Sequence, residues 1–172
     1  MKIIASTREK VFGALIVVAA VVYLIPFVPR GWVPHDEGML GQAAEQVLHG
    51  GIPHVDYEEM YTGGLSWLYA VIFKATSVNL VNLRWALFVG ASVSLWLVYA
   101  ISRRYLAPVG AALATWVALV WSFPNYFAGL PSWWLLIAAL FCLWALIRYV
   151  ETQQWRYVTV AGLVVGVAIT IK

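Results

Sequence analysis

The sequence predicts an all-α protein: a polytopic transmembrane helical bundle with amphipathic juxtamembrane helices in its first outer loop. Two observations lead to this prediction. Of the 172 residues, 63% are hydrophobic and 11% are charged, which leaves too little polar surface to cover a water-soluble globule. Several near-continuous apolar runs also approach the roughly 20 residues that a helix needs to cross a hydrocarbon core about 30 Å thick.

Five apolar runs are interpreted as spanning helices. The first follows a short basic stretch and ends in a proline-containing segment without a small-x-small cleavage site, which favours a retained anchor over a cleaved secretory signal. The last run stops at Lys172 before a comfortable span is complete, so 1–172 is expected to be the N-terminal portion of a longer transmembrane domain. The predicted spans are 11–29, 82–102, 107–123, 131–148 and 157–172.

Basic residues at the helix ends set the expected topology. Lys2, Arg8 and Lys10 place the N-terminus in the cytoplasm by the positive-inside rule, so the loop after the first helix lies outside. Segment 65–75 is apolar but only about half a spanning length. If it lies along the interface, the basic turns near 103 and 148–156 both fall inside; if it crosses, both fall outside. We therefore expect an outer loop over 30–81, with interfacial helices over about 36–50 and 65–75.

Polar chemistry is concentrated in that outer loop. Six of the eight acids and two of the three histidines fall between 36 and 59, and His35 adjoins them. The stretch from Pro34 to Gly51 is predicted to be an amphipathic helix, with Asp36 capping its start and two glycines stopping it. Asp36 and Glu37 would then lie where the helix dipole favours carboxylates. The alternative is that this pair is an ordinary helix cap with solvated neighbours.

A metal site is a further hypothesis for the same loop. His54 and Asp56 are two residues apart, and in an extended stretch both side chains would point the same way. Together with Asp36 and His35 they could hold a divalent cation, Mg²⁺ or Mn²⁺, through oxygen and nitrogen ligands. Ordinary hydrogen bonding within the loop is the alternative.

The other charged residues and the single cysteine argue against a nucleic-acid-binding protein and against a disulfide-stabilised one. The basic residues behind the net charge of +3 are scattered over helix ends instead of forming one stripe, so no nucleic-acid partner is expected. Cys142 is the single cysteine, which leaves no disulfide framework.

Arg84 lies just inside an apolar run, where it could bind a phosphate or extend its head group to the interface.

The order of these features resembles the N-terminal part of the GT-C glycosyltransferases, specifically the protein-mannosyltransferase and aminoarabinose-transferase-like group (glycosyltransferase family 39-like). The likeness covers one helix after a cytoplasmic N-terminus, then Asp36-Glu37-Gly38 opening an amphipathic helix that ends in HGGIPHVDY. An aromatic, apolar juxtamembrane segment follows, and AGLVVGVAITIK at 161–172 is similar to a recurring family helix that ends in lysine.

The resemblance implies an enzyme that moves a sugar from a polyprenyl-phosphate donor to a lipid, glycan or protein acceptor. Transfer would occur at the outer face of a membrane, here the bacterial inner membrane. The family's acidic pair maps onto Asp36 and Glu37, with Asp36 as base or metal contact and Glu37 supporting it. We expect substrate contacts from Arg84, His54 and Tyr57, and a metal, if present, on Asp36 and Asp56.

The chain departs from the family pattern at two places. Many relatives carry a Lys-Pro-Pro-like sequence where this chain has Tyr61-Thr62-Gly63-Gly64, and an acid where it has Leu130 to Trp134.

Two other functions are alternatives to the enzyme. A transporter or channel segment would be expected to carry charged or broken helices at the membrane midplane. A non-enzymatic assembly subunit would not require clustered outer acids. A second acid-bearing outer loop beyond 172 would favour the enzyme.

Overall fold

The chain forms a helical bundle. The computed structural model describes residues 7–31 and 33–172, so the contribution of Lys2 to the topology lies outside the described residues. Within these ranges there are seven α-helices, two short 3-10 helices (Ile25–Phe27 and Phe123–Asn125) and no β-strand. The α-helices are α1 Thr7–Leu24, α2 Pro34–Leu48, α3 Gly64–Ala75, α4 Leu80–Ser102, α5 Pro108–Trp121, α6 Pro131–Thr152 and α7 Arg156–Ile171.

In the described part of the chain, three segments are long and apolar enough to cross a membrane: Thr7–Phe27, Leu80–Ser102 and Pro131–Thr152. Helices α5 and α7, with 14 and 16 residues, are shorter, at about 21 Å and 24 Å for a rise of 1.5 Å per residue. The predicted span 107–123 ends early, at Trp121, because the backbone of Ser122 leaves the helical region, with φ −111° and ψ −104°, and because Pro124 disfavours α-helical backbone at Phe123.

Lipid solvates much of this bundle. One face of α1 exposes large apolar side chains at helical spacing, which would be unfavourable in water and is favourable in hydrocarbon. The opposite face packs through Ala20 and Leu24 into a buried cluster with α4 and the aromatic end of α5. The exposed side chains on α1 are Val11, Leu15, Val18 and Val22.

Helix α3 belongs to a second buried cluster and lies against α2. Its Leu65, Tyr69 and Phe73 recur every four residues and are buried, while Trp67 and Val71 on its other side are exposed. With 12 residues, α3 is about 18 Å long, well short of a membrane crossing. The segment predicted to lie at the interface is therefore a short helix with one buried and one exposed face.

The two ends of the bundle differ in charge. At one end Arg103 faces Glu9 across 3.7 Å, and Arg104 pairs with Glu151 at 2.7 Å, so the start of α1 meets the end of α4 and the end of α6. Among the residues that the structure describes, this basic end carries six basic and two acidic ones: Arg8, Lys10, Arg103, Arg104, Arg148, Arg156, Glu9 and Glu151. The other six acids lie at the opposite, acidic end, which fits a chain in which α3 does not cross.

Residues 56 and 103 should therefore be accessible from opposite faces of the membrane. Single cysteines at these positions, in a Cys142→Ala background, would be tested with an impermeant maleimide in sealed vesicles before and after permeabilisation. We expect one position to react before permeabilisation and the other only after it. Reaction of both from the same side would mean that α3 spans the membrane.

Candidate active site

The loop after α1 turns into α2 at a proline. Pro34 occupies the first helical position, which suits a residue that lacks an amide hydrogen, and the amide of Glu37 donates to the carbonyl of Val33 at 3.0 Å. The prediction that Asp36 caps this helix is wrong, because Val33 holds the cap position and no side chain caps it. Asp36 and Glu37 lie in the first turn, where unpaired amides favour carboxylates.

The other end of α2 is fixed by the two glycines, as predicted. The amide of Gly50 donates to Val47 and that of Gly51 to Gln46, at 3.0 Å and 2.8 Å. Gly50 has a φ of 96°, a conformation that a residue with a Cβ rarely adopts. This Schellman-type ending reverses the chain, so the segment that follows runs back along α2.

Glu37 is buried in an ion pair with Arg84 of α4. The Arg84 Nε donates to one carboxylate oxygen at 2.8 Å and an Nη nitrogen donates to the other. The second Nη nitrogen donates to the carbonyls of Arg30 and Val28, at 2.8 Å and 3.4 Å. The two charged residues are 3% and 4% exposed. A substrate phosphate could reach Arg84 only if this pair opened.

Asp36 faces the other way and remains exposed. Its carboxylate accepts a hydrogen bond from the Tyr126 hydroxyl, which lies in the connection between α5 and α6. This bond, with smaller effects of burial and of the nearby carboxylate charges, raises the pKa of Tyr126 to about 12. Tyr126 is therefore a protonated donor throughout the neutral range, and it orients Asp36.

Asp36 lines a cavity of about 250 Å³ between α2 and the segment at 57–61. This volume lies just below the roughly 300–1,000 Å³ of typical small-molecule pockets. Its walls combine carboxylates and amides with apolar side chains such as Met39 and Leu130. The polar lining residues are Asp36, Gln42, Gln46, Tyr57, Glu58, Glu59 and Tyr61.

Glu59 is held in place by hydroxyl groups. The Ser66 hydroxyl donates to one of its oxygens at 2.5 Å and the Tyr57 hydroxyl donates to the same oxygen at 3.5 Å. Burial, and then the charge of Glu59, raise the pKa of Tyr57. Tyr57, which the sequence analysis predicted to bind substrate, is thus a neutral hydroxyl in the wall of the cavity. One oxygen of Glu59 already accepts hydrogen bonds from its neighbours.

His54 and Asp56 do not lie in an extended stretch, so that prediction is wrong. The carboxylate of Asp56 accepts the amide of Ile52 at 2.8 Å, and the amide of Asp56 donates back to the carbonyl of Ile52 at 2.9 Å. His54 lies in this turn with a φ of 65°. The reciprocal bonds curl the chain, and neither side chain lines the cavity that contains Asp36.

The metal hypothesis has limited support from these residues. Within 7–31 and 33–172, no three His, Cys, Asp or Glu side chains are grouped to hold a metal ion, so the proposed set of Asp36, His54 and Asp56 is not assembled. Magnesium is often bound by one or two carboxylates completed by water and substrate phosphates. Of the proposed ligands, Asp36 alone lies in the cavity wall where a substrate could complete such a site.

A family model for dolichyl-phosphate-mannose-protein mannosyltransferases matches residues 64–172. The chain belongs to this family. No curated protein and no solved structure matches it. The protein is therefore a membrane glycosyltransferase of the mannosyltransferase type. The matched stretch begins after Asp36 and Glu37, yet their partners Tyr126 and Arg84 both lie within it.

Sequence reasoning missed two residues of this candidate site. Tyr126 lies in the connection between α5 and α6, FPNYFAGLPS, and the Trp133 indole donates to its carbonyl at 2.9 Å. A polar aromatic residue in a turn between helices was the available signal, but its contact with Asp36 joins residues 90 positions apart in the chain. Glu59 was counted among the loop acids, and nothing in its spacing indicated that Ser66 and Tyr57 would surround it.

Removing Arg84 alone should lower the free energy of unfolding far more than replacing both members of the ion pair. Arg84→Gln leaves the Glu37 carboxylate buried without a countercharge, which typically costs about 3–5 kcal/mol. Replacing both residues by Met should recover much of that loss, because no charge then remains in the apolar site. The measurement is the free energy of unfolding of the full-length protein in detergent.

Arg148→Gln is a matched control for that experiment. Arg148 pairs with Glu151 at the opposite end of the bundle, where both side chains are about one-third exposed, so its removal should cost less than about 1 kcal/mol. Equal losses for Arg84→Gln and for the double Met variant would contradict the assigned role of the buried pair.

Proposed function

We propose that this glycosyltransferase moves a sugar from a polyprenyl-phosphate donor to an acceptor hydroxyl at the outer face of the membrane. The observation that carries the proposal is the exposed carboxylate of Asp36, which lies in the wall of a polar cavity and is oriented by Tyr126. The family supplies the reaction class, and a membrane-embedded donor suits a cavity at one end of a helical bundle.

In this proposal Asp36 is the general base. An acceptor hydroxyl attacks the anomeric carbon, the new carbon–oxygen bond forms as the bond to the lipid phosphate breaks, and the hydroxyl proton passes to Asp36. A single displacement of this kind inverts the anomeric centre. A carboxylate within hydrogen-bond reach of the hydroxyl typically contributes 10²–10⁴-fold to the rate of such a step.

Glu37 supports this step as a positioning residue. Both of its carboxylate oxygens accept hydrogen bonds from Arg84, so it is not available to take the acceptor's proton. By fixing the first turn of α2 against α4, the pair holds the adjacent Asp36 at the edge of the cavity. Of the three residues predicted to contact substrate, Tyr57 lies in the cavity wall, whereas His54 and Arg84 do not line the cavity.

The departing phosphate requires a positive charge. Lys172 places its ammonium 5.9 Å from the centre of the Tyr61 ring, and Tyr61 lines the cavity. We assign the donor phosphate to this side of the cavity, where the cation would stabilise charge that develops on the leaving group. If Mg²⁺ or Mn²⁺ takes part, Asp36 is the residue that would hold it, and the ion would supply a second positive charge.

The proposed orientation follows from the charge difference between the two ends. The basic end would face the cytoplasm by the positive-inside rule, and the cavity at the acidic end would face outward. In a bacterium this location is the outer surface of the inner membrane. Lipid, glycan and protein acceptors all offer hydroxyl groups that could enter a cavity open to that side.

Asp36→Asn is the direct test of the base. The substitution keeps the size of the side chain and can still accept the Tyr126 hydrogen bond, but it removes the basic carboxylate. In the full-length enzyme we expect kcat to fall about 100-fold or more. Activity would be measured by transfer of a radiolabelled sugar from the lipid donor in reconstituted vesicles.

Glu45→Gln is the matched control, since Glu45 lies on the same helix, is exposed and does not line this cavity. It removes the same charge from the same loop and should leave kcat within about twofold. Near-normal turnover of a correctly inserted Asp36→Asn enzyme would refute the assignment of the base.

Asp56→Ala separates loop stability from metal binding. Because the Asp56 carboxylate closes a turn through the amide of Ile52, its loss should lower the unfolding free energy by about 1 kcal/mol. We expect excess Mg²⁺ or Mn²⁺ not to restore any lost activity. Metal-dependent rescue would show instead that Asp56 is a ligand, and loss of wild-type activity on chelation would support an ion held by Asp36.

A further inference from the structure

A second cavity lies at the basic end of the bundle, remote from Asp36. It has a volume of about 580 Å³ and is formed between α1 and α4. Its charged wall consists of the neighbouring residues Glu9 and Lys10 on α1 and of Arg103 and Arg104 in the turn that follows α4. No step proposed for sugar transfer uses any of these side chains, so the cavity needs a separate explanation.

The cavity changes from charged to apolar along the helix axes. On α1 its lining runs from Lys10 to Val18, about 12 Å at 1.5 Å per residue. Opposite it, the lining runs from Arg104, in the turn after α4, back along α4 to Trp96. Because α1 and α4 are antiparallel, the charged groups meet at the end of the bundle and the apolar groups meet deeper in the membrane. This arrangement matches a phospholipid, with its head group at the interface and its acyl chain in the hydrocarbon.

The small residues of α1 create this space. Gly13 is buried against the ring of Tyr99, and a Cβ at Gly13 would come within 2.6 Å of a ring carbon. The neighbouring Ala14 lines the cavity and is exposed, so no large side chain of α1 fills the groove at this level. Among the described residues, the buried Tyr99 hydroxyl has no hydrogen-bond partner, which marks this helix contact as incompletely satisfied.

Arg103 and Arg104 differ in how many of their hydrogen-bond donors are already used within the protein. Arg104 donates to both oxygens of Glu151 and to the carbonyl of Ala100, so most of its donors are used. Arg103 donates to the carbonyl of Leu106, but its nitrogen lies 3.7 Å from Glu9, which is longer than a direct hydrogen bond. A phosphate oxygen between Lys10 and Arg103 would form charge-assisted bonds beyond those that the described residues supply.

We propose that this cavity binds an anionic phospholipid of the leaflet at the basic end, with its phosphate on Lys10 and Arg103 and an acyl chain along the apolar groove. The excess of basic residues at this end attracts anionic head groups, and basic pockets between transmembrane helices are known lipid sites. The apolar groove favours a lipid over a soluble phosphate, since an acyl chain can occupy the groove while its own head group meets the cations.

The experiment uses the full-length enzyme in nanodiscs of phosphatidylcholine with or without phosphatidylglycerol. The measurements are the melting temperature and the phosphatidylglycerol that native mass spectrometry finds retained after delipidation. For the wild type we expect a higher melting temperature with phosphatidylglycerol, and a retained lipid. Lys10→Gln combined with Arg103→Gln should weaken retention about tenfold or more, from the loss of charge-assisted hydrogen bonds.

Two further variants make the test specific. Arg156→Gln removes a charge from the same end outside the cavity and should retain the lipid as the wild type does. Ala14→Leu keeps every charge but fills the apolar groove, so it should also reduce retention, and it remains informative if the double variant fails to fold. The activity of the enzyme is not part of this readout, so the result is independent of the role of Asp36.

Three results would overturn the proposal. The wild type could show no preference for phosphatidylglycerol over phosphatidylcholine, as expected if another segment of the protein fills the groove. Arg156→Gln could weaken retention as much as the double variant does, which would indicate general attraction to a basic surface. Finally, glycerol phosphate could raise the melting temperature as much as the lipid does, which would show that the site recognises a soluble anion.

Discussion

The buried ion pair between Glu37 and Arg84 is the interaction on which the acidic end of the protein depends. A charged pair with both members almost fully buried is stable only if nearly every donor and acceptor is satisfied. The guanidinium group meets this condition by bonding to the Glu37 carboxylate and to the carbonyls of Val28 and Arg30. In doing so it ties together the end of α1, the start of α2 and the first turns of α4.

This constraint separates two adjacent carboxylates into different roles. Glu37 and Asp36 are neighbours in sequence, but consecutive side chains on a helix diverge by about 100°. Glu37 therefore faces α4, and Asp36 faces the cavity and Tyr126. Anchoring Glu37 fixes the direction of the Asp36 carboxylate, which is how a short polar loop can hold the proposed base steady beside a membrane.

The distribution of charge gives the bundle a direction. Ion pairs at the basic end join α1, α4 and α6 and are partly exposed, so they contribute little stability individually. Their larger effect is electrostatic, since a basic end favours the cytoplasm and anionic lipid. The acidic end, by contrast, presents carboxylates and hydroxyls to a cavity suited to a polar acceptor. The two proposals place sugar transfer and lipid binding at opposite ends of one bundle.

The sequence by itself determined the membrane class, the positions of the helices to within a few residues, and the concentration of acids in the loop at 30–81. These properties are local: apolar run length sets a helix in lipid, and the glycines at 50 and 51 end α2 wherever it packs. Only the tertiary structure decided that Glu37 pairs with Arg84, that Tyr126 contacts Asp36, and that His54 and Asp56 curl away from the cavity. Those contacts join segments far apart in the chain, or depend on a turn closed by one side chain, and neither leaves a periodic pattern in the sequence.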